Sequence, residues 1–414
     1  MERLQAMVEA TRLNEARRAA IAAIDEATVD LIALSKYIHD NPEIALQEYK
    51  SSAACADFLE QRGFAVSRGI ADLPTAFQAE ARDGAEGPRI AFVSEYDALP
   101  GVGHGCGHNL IAIAGIGAGL GLKAALALLT GTVTVFGTPA EEAIGGKIIM
   151  ADAGIFDPVD AAMGAHPGTI EATCPTVEGS GQALACQAVR IEFRGKAAHA
   201  ASDLYNGVNA LDAVIQVFNG VSALRQHIRS DARFHGIITH GGDAPNVIPN
   251  FAAAEFYVRA QTLSYMNELV EKLRHIVEGA ALMTGAELTF DMPERANYDM
   301  ITNHAMAKRL KKNLDDVGLI RPEAIAEEGS GSTDWGNVSY RVPSVETSYP
   351  ILDHVCTWHS QEVVDAADSE MGYQNTVLVA KAMALTGADL LADPAALVEI
   401  KEQFVRERAA RGGS

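Results

Sequence analysis

Cysteine, tryptophan and basic charge are all scarce in this chain. Its 414 residues include five cysteines, two tryptophans, and 33 Lys and Arg against 54 Asp and Glu, a formal charge of −21. An odd, scattered set of cysteines (Cys55, Cys106, Cys174, Cys186, Cys356) excludes a dense disulfide framework and leaves metal ligation or inert thiols. The acid excess repels phosphate backbones, so no nucleic-acid partner is expected; the densest basic cluster, Lys308, Arg309, Lys311 and Lys312, is one short helical stretch. Long apolar runs are missing too. The most apolar, residues 110–122, is broken by glycines and stopped by Lys123, short of the roughly 20 residues a bilayer span needs, so no membrane partner is expected. The first twenty residues carry mixed charge without the unbroken apolar core of a secretory signal, so the expected location is cytoplasmic. There is no G-x-S-x-G elbow and no Walker loop. Gly115, Gly117, Gly119 and Gly121 miss the G-x-G-x-x-G spacing and belong to helix packing instead.

With 48% hydrophobic and 21% charged residues, the chain can bury more than one core, and its length suits two or three domains. Helical spacing covers residues 2–37, and a second helix is predicted over 51–62, closed by Gly63. Strand-length apolar runs follow at 76–80, 89–94 and 132–138, with a helix over 111–129, another over 145–153, and a strand over 161–165 ending at His166. This alternation predicts an α/β fold with a mixed, mostly parallel sheet. Over 183–298 the pattern becomes β-α-β-β-α-β, the order of a ferredoxin-like α+β domain. A helix over 304–317, a loop at 329–335, a strand near 345–349 and helices from 368 towards Gly412 then resume the first style. The expected domains are therefore a discontinuous one, 1–182 with 299–414, and an inserted one, 183–298.

The chemistry-bearing residues cluster at predicted strand ends. Ser94 to Asn109 reads SEYDALPGVGHGCGHN, with Cys106 and His108 two apart on a glycine-rich bend. Thiolate and imidazole both suit borderline-soft divalent metals, although a buried free cysteine beside a bonded histidine is the plainer reading of the pair alone. Thr138-Pro-Ala-Glu-Glu142 places adjacent carboxylates after a strand; one can ligate a metal while the other faces an attacking water. His166 in Gly-Ala-His-Pro and His359 in Trp-His-Ser-Gln-Glu complete a ligand set, with His354 the alternative to His359. Open α/β sheets bind ligands at such strand ends, and together these residues favour a metal centre.

These stretches closely resemble the M20 family of metallopeptidases and amidohydrolases, within its Cys-containing subgroup that includes aminobenzoyl-glutamate hydrolase and an animal dipeptidase. The matching segments are His39-Asp-Asn-Pro-Glu43 with Glu48, SEYDALPGVGHGCGHNL, GTPAEEAIGGK, AHP, FRGKAAHAA, GGDAPNVIPN, GSTDWGNVSYRVPSVE and WHSQE. The resemblance implies a zinc-peptidase-type catalytic domain and an inserted lid and dimerisation domain. It implies two divalent ions per subunit, zinc or manganese, with Cys106 bridging, His108 and Glu142 on one side and His166 and His359 on the other. It implies Glu141 as general base, Asp97 as the group orienting a ligand imidazole, and His199 as an oxyanion donor reaching a neighbouring subunit's site. Asn246, Arg259, Gly331 and Ser332 match positions that contact substrate. Many members of the wider family carry a His two residues before the Asp and an Asp bridge; here Glu95 and Cys106 stand at those steps. The implied activity is hydrolysis of an amide bond in a small N-acyl amino acid or dipeptide by a homodimer. The alternatives are a carboxypeptidase, aminoacylase or N-carbamoyl amide hydrolase on the same scaffold, and an inactive binding relative, which intact ligands and Glu141 disfavour.

Overall fold

The first helix, α1 (Glu2–Asp40), runs through a stretch rich in alanine and free of glycine and proline, and stops just before Asn41-Pro42. Its buried residues Ala16, Ala20, Ile24, Ala27, Leu31, Leu34 and Ile38 recur every three or four positions, a single apolar stripe. The computed structural model describes residues 2–84, 86–324 and 331–411. Next come α2 (Tyr49–Gln61), β1 (Ala65–Arg68), β2 (Phe77–Arg82), β3 (Arg89–Glu95), α3 (His108–Ala125), β4 (Thr132–Thr138), α4 (Gly146–Asp152) and β5 (Ala161–Gly168).

Then follow β6 (Ala185–Arg194), α5 (Ala210–Leu224), β7 (Arg233–His240), β8 (Phe251–Ala260), α6 (Leu263–Thr284) and β9 (Glu287–Asp291). Their sheet order is β7-β8-β6-β9 with every pairing antiparallel. Both helices pack an apolar face, including Val214, Val217, Leu269 and Leu273, into one core with the sheet. This is the ferredoxin-like arrangement expected from the element order.

The chain closes with α7 (His304–Asp316), α8 (Trp335–Ser339), β10 (Ser344–Pro350), α9 (Gln361–Ala367), α10 (Glu370–Ala392) and α11 (Pro394–Ala410). A second sheet has the order β1-β2-β4-β3-β5-β10, in which β4, β3, β5 and β10 are parallel and β1 and β2 add an antiparallel edge. Successive strands step from β3 to β4 on one side and then to β5 on the other, so the strand order reverses around β3.

Contacts divide the chain into two units: Met1–Gly181 with Met300–Glu327 and Asn337–Ser414, and Gln182–Asp299 with Glu328–Gly336. The stretch 331–336, which the sequence assigned to the discontinuous domain, groups with the second unit. The reason is local: Leu184 N donates to Gly331 O at 2.7 Å and Arg259 Nη1 to Ser332 Oγ at 3.1 Å. Gly329 and Gly412, endpoints expected from the sequence, lie outside the described residues. The strand expected to end at His166 continues to Gly168 because β10 pairs with it, Ser348 opposite His166. The short exposed strand β1 and the two-turn helix α9 carried too little periodicity to be foreseen.

The glycines of α3 explain how that helix is buried between layers. A Cβ on Gly115 would lie 2.4 Å from Val93 O, and one on Gly119 would lie 2.3 Å from Val135, so these two face the sheet. On the other side, Gly117 and Gly121 meet Ala380, Ala384, Leu31 and Ile24 from α10 and α1. Glycine thus permits close approach on two opposite faces of one helix. Both α3 and α10 are apolar and long enough to cross a membrane, yet 89% and 67% of their apolar windows are buried inside the protein, as for core helices.

Gly115→Ala gains at most about 1 kcal/mol of helix propensity but forces overpacking against backbone, which typically costs about 1–3 kcal/mol. A lower denaturant midpoint is expected. Gly279→Ala in α6, where nothing lies within 4 Å of the added carbon, is expected to be neutral or stabilising in the same measurement.

Candidate metal centre

All four parallel strands deliver residues to one place. β3 ends at Glu95 and leads through Asp97 to the bend holding Cys106; α3 begins at His108. β4 leads to Glu141 and Glu142, β5 carries His166 near its end, and the segment after β10 reaches His359.

Cys106 sits at the convergence, and its two glycine neighbours make room for it. A Cβ on Gly107 (φ +77) would lie 3.0 Å from Pro167, the residue after His166. One on Gly105 would meet Val102 and the backbone of His359, whose N–H donates to Gly105 O at 3.2 Å. The result is a tight donor cluster. Cys106 Sγ lies 3.3 Å from His166 Nε2, while Glu142 Oε1 lies 3.4 Å from His359 Nε2 and 3.9 Å from His108 Nε2. Three overlapping triads have their ligand atoms within 4.8 Å of one another: Cys106 with His108 and His166, Cys106 with Glu142 and His359, and His108 with Glu141 and Glu142.

The surroundings orient these donors. Asp97 Oδ1 is 2.9 Å from His108 Nδ1, which turns Nε2 towards the cluster, and Asp97 Oδ2 accepts from Glu142 N at 3.0 Å. One carboxylate thus aligns a histidine and the adjacent acid. Trp358 Nε1 donates to Cys106 Sγ at 3.2 Å, and the His166 ring nitrogen Nδ1 is 2.6 Å from Pro167 O. His354, the alternative to His359, is bound instead to Asp353 and Glu362, at 2.7 and 2.6 Å.

Burial pushes the Cys106 thiol up, but His166 and His108 outweigh it and hold the group well below its ordinary value. Burial and the Cys106 charge push Glu142 up to about 7. Burial lowers His108, and the Asp97 and Cys106 charges overcome this and raise it well above the usual range. The residues fit a divalent metal by their own chemistry. Donors of thiolate, imidazole and carboxylate type share one pocket, and the buried atoms His108 Nε2 and Glu142 Oε1 lack a hydrogen-bond partner among the described residues.

In the second unit, the structure brings together His199 and Asn246. Ala200 N donates to Asn246 O at 3.1 Å, and both side chains are exposed. It also joins Arg259 to Ser332, next to Gly331. Sequence reasoning passed over one buried pair beside the cluster: Lys147 is fully buried with Nζ 2.9 Å from Glu95 Oε1, and Glu95 Oε2 is 3.5 Å from His108 Nε2. A signal was available. A lysine in the first turn of a helix opposes the helix dipole and needs a local reason to be there. Removing one partner of a buried ion pair typically costs about 3–5 kcal/mol.

A model of the peptidase family M20/M25/M40 matches residues 91–377. The chain is 37% identical over 410 residues to an Xaa-Arg dipeptidase of Mus musculus, covering 95% of this chain and 93% of that protein. The chain belongs to the M20 peptidase family. It is also 30% identical to one of the subunits of the p-aminobenzoyl-glutamate hydrolase of Escherichia coli (strain K12), covering 89% of this chain and 91% of that protein. Among solved structures, a dinuclear metal binding M20 peptidase of Bacillus subtilis superposes with a TM-score of 0.63 at 22% identity, covering 86% of this chain and 98% of that one. As an M20 member, this protein is a metal-dependent hydrolase of amide bonds in small substrates.

Because Glu142 is held up to about 7 in the metal-free cluster, it is largely protonated at pH 6 and must ionise to bind a cation. Metal affinity is therefore expected to fall as pH drops through 7, about tenfold per unit for each proton displaced. Chelator competition at pH 6 and pH 8 checks this; equal affinities would contradict it.

Proposed function

We propose that this M20 enzyme is a dipeptidase acting on short peptides with a basic C-terminal residue, using Cys106, His108, Glu142, His166 and His359 as ligands for two divalent ions. The convergence of these five side chains with Glu141, inside one unit, is the observation that carries the reading. Zinc is favoured by a thiolate with imidazoles, and manganese by the carboxylate. Bound there, the ions would polarise the scissile carbonyl and acidify the attacking water.

The chain's own residues do the rest. Glu141, beside ligand Glu142 but outside the Cys106 triads, takes the proton of the attacking water and passes it to the leaving amine. Asp97 keeps the His108 ring in one tautomer. His199 Nδ1 accepts the N–H groups of Ala201 and Ser202, both at 3.2 Å, which leaves the proton on Nε2 as a donor for the developing oxyanion. Arg259, steadied by Ser332 beside Gly331, and Asn246 are suited to the substrate's carboxylate and carbonyl. A net charge of −21 attracts cationic substrates at long range, and the Xaa-Arg dipeptidase is the more similar of the two relatives above. Aminobenzoyl-glutamate is the second reading, favoured by the guanidinium at Arg259. All five cysteines are free, which suits a reducing cytoplasm.

Homodimer formation is supported by β7, an edge strand of the second unit's sheet with Ile237 and Ile238 exposed. If His199 acts on a neighbouring subunit, Glu141→Ala and His199→Ala proteins should complement on subunit exchange. At random pairing about a quarter of wild-type turnover should return; no recovery despite demonstrated exchange would exclude action in trans.

Glu141→Ala is expected to keep its metal and lose at least about 10³-fold in kcat. Metal analysis with turnover on Xaa-Arg dipeptides, β-alanyl-lysine and aminobenzoyl-glutamate checks it. Undiminished turnover would remove Glu141 from the mechanism, and the substrate ranking decides between the two readings.

A further inference from the structure

Glu48 occupies the N-cap position of α2, where an acidic side chain ordinarily accepts the helix's first N–H groups. Its side chain does not do so. Glu43 performs that task from outside the helix, its Oε2 accepting Lys50 N and Ser51 N, both at 2.9 Å. The Glu48 carboxylate turns inward and is fully buried. Oε1 accepts Ala140 N at 3.0 Å and Leu46 N at 2.9 Å, and Oε2 accepts the Thr75 hydroxyl at 3.0 Å.

The two backbone groups it holds are unusual. Ala140 (φ 62) and Leu46 (φ 61) are both non-glycine residues in the left-handed region, which a side chain disfavours. Ala140 is the residue immediately before Glu141 and Glu142. Its carbonyl accepts Gly145 N at 3.0 Å, so its conformation is gripped from both sides, by Glu48 before the acidic pair and by the start of α4 after it. Were the carboxylate lost, Ala140 would gain by relaxing to negative φ. That rotation would swing the peptide leading directly into Glu141. A buried carboxylate 92 positions upstream thus fixes the direction in which the acidic pair points.

We propose that Glu48 is a positioning residue for the hydrolytic reaction, holding Ala140 in the left-handed conformation that aims Glu141 at the attacking water. This rests on the reading of Glu141 as general base. What matters is the reach of an acceptor oxygen to Ala140 N, and the carboxylate's charge is secondary.

The test compares metal-loaded full-length variants for kcat, KM, metal content and melting temperature, on whichever dipeptide the wild type turns over. Glu48→Gln keeps an oxygen within reach and should retain kcat within about threefold. Glu48→Asp keeps the charge but is one methylene short, and should lose about 10²-fold in kcat with KM little changed, the scale of a misplaced catalytic group. Ala140→Gly, which favours positive φ without help, should restore at least tenfold of that loss in the Glu48→Asp background. A merely structural role would lower the melting temperature of Glu48→Asp without this rescue, and that result overturns the proposal, as does wild-type kcat in Glu48→Asp. Should Glu48→Asp fail to fold, Ala140→Val serves: a β-branched residue opposes the left-handed conformation, so reduced kcat supports the proposal and unchanged kcat overturns it. Glu141→Ala is run in parallel. If it stays active, the general-base reading itself fails; if it is inactive while Glu48→Asp is not, only the role of Glu48 fails.

Discussion

Three segments distant in sequence can meet at Cys106 only because the residues on both sides of it lack side chains. Gly107 admits Pro167 and so the His166 strand, and Gly105 admits the backbone at His359. A Cβ at Gly107 would press on Pro167, and one at Gly105 on Val102 and the backbone of His359, so either would crowd a ligand-bearing segment beside the thiolate. The parallel sheet supplies the remaining condition. Its four parallel strands, β4, β3, β5 and β10, end on the same side, and the reversal of order around β3 opens a crevice where those ends diverge.

The electrostatic arrangement follows from packing so many ionisable groups at such depth. Three of the buried charges are answered by another: Asp97 by His108, Glu95 by Lys147, Cys106 by His166. A charge left isolated at such depth is costly to keep ionised. The set therefore stands or falls together, and it leaves donors aimed at a common point. Glu142 is the exception that shows the logic. It is raised to about 7 by burial and, after that, by the Cys106 thiolate beside it, and a cation would complete the balance.

Much of the fold was legible from periodicity. The stripe along α1, the β-α-β-β-α-β run and the glycine-laden α3 each carry their pattern in consecutive residues. The misses share a cause. β5 extends past His166 because β10 pairs with it, and 331–336 joins the second unit through bonds to Leu184 and Arg259. None of these partners is near in sequence. The candidate ligands were legible as residue types at strand ends. Lys147 and Glu48 were visible as letters in recognisable motifs, but their burial and their partners were not.

The sequence by itself determined the class of chemistry and the order of elements. Thiol, imidazole and paired carboxylates in those settings suit few other tasks, and hydrophobic spacing sets helix and strand locally. Only the tertiary structure decided which donors share a point, and that His359 faces Glu142 while His354 is bound to Asp353 and Glu362. Only it showed that the peptide nitrogen of Ala140, just before the acidic pair, donates to a carboxylate far upstream. The physical reason is range: propensity and periodicity act over a few residues, whereas ligand geometry and buried-charge pairing depend on side-chain packing across strands and loops far apart in the chain.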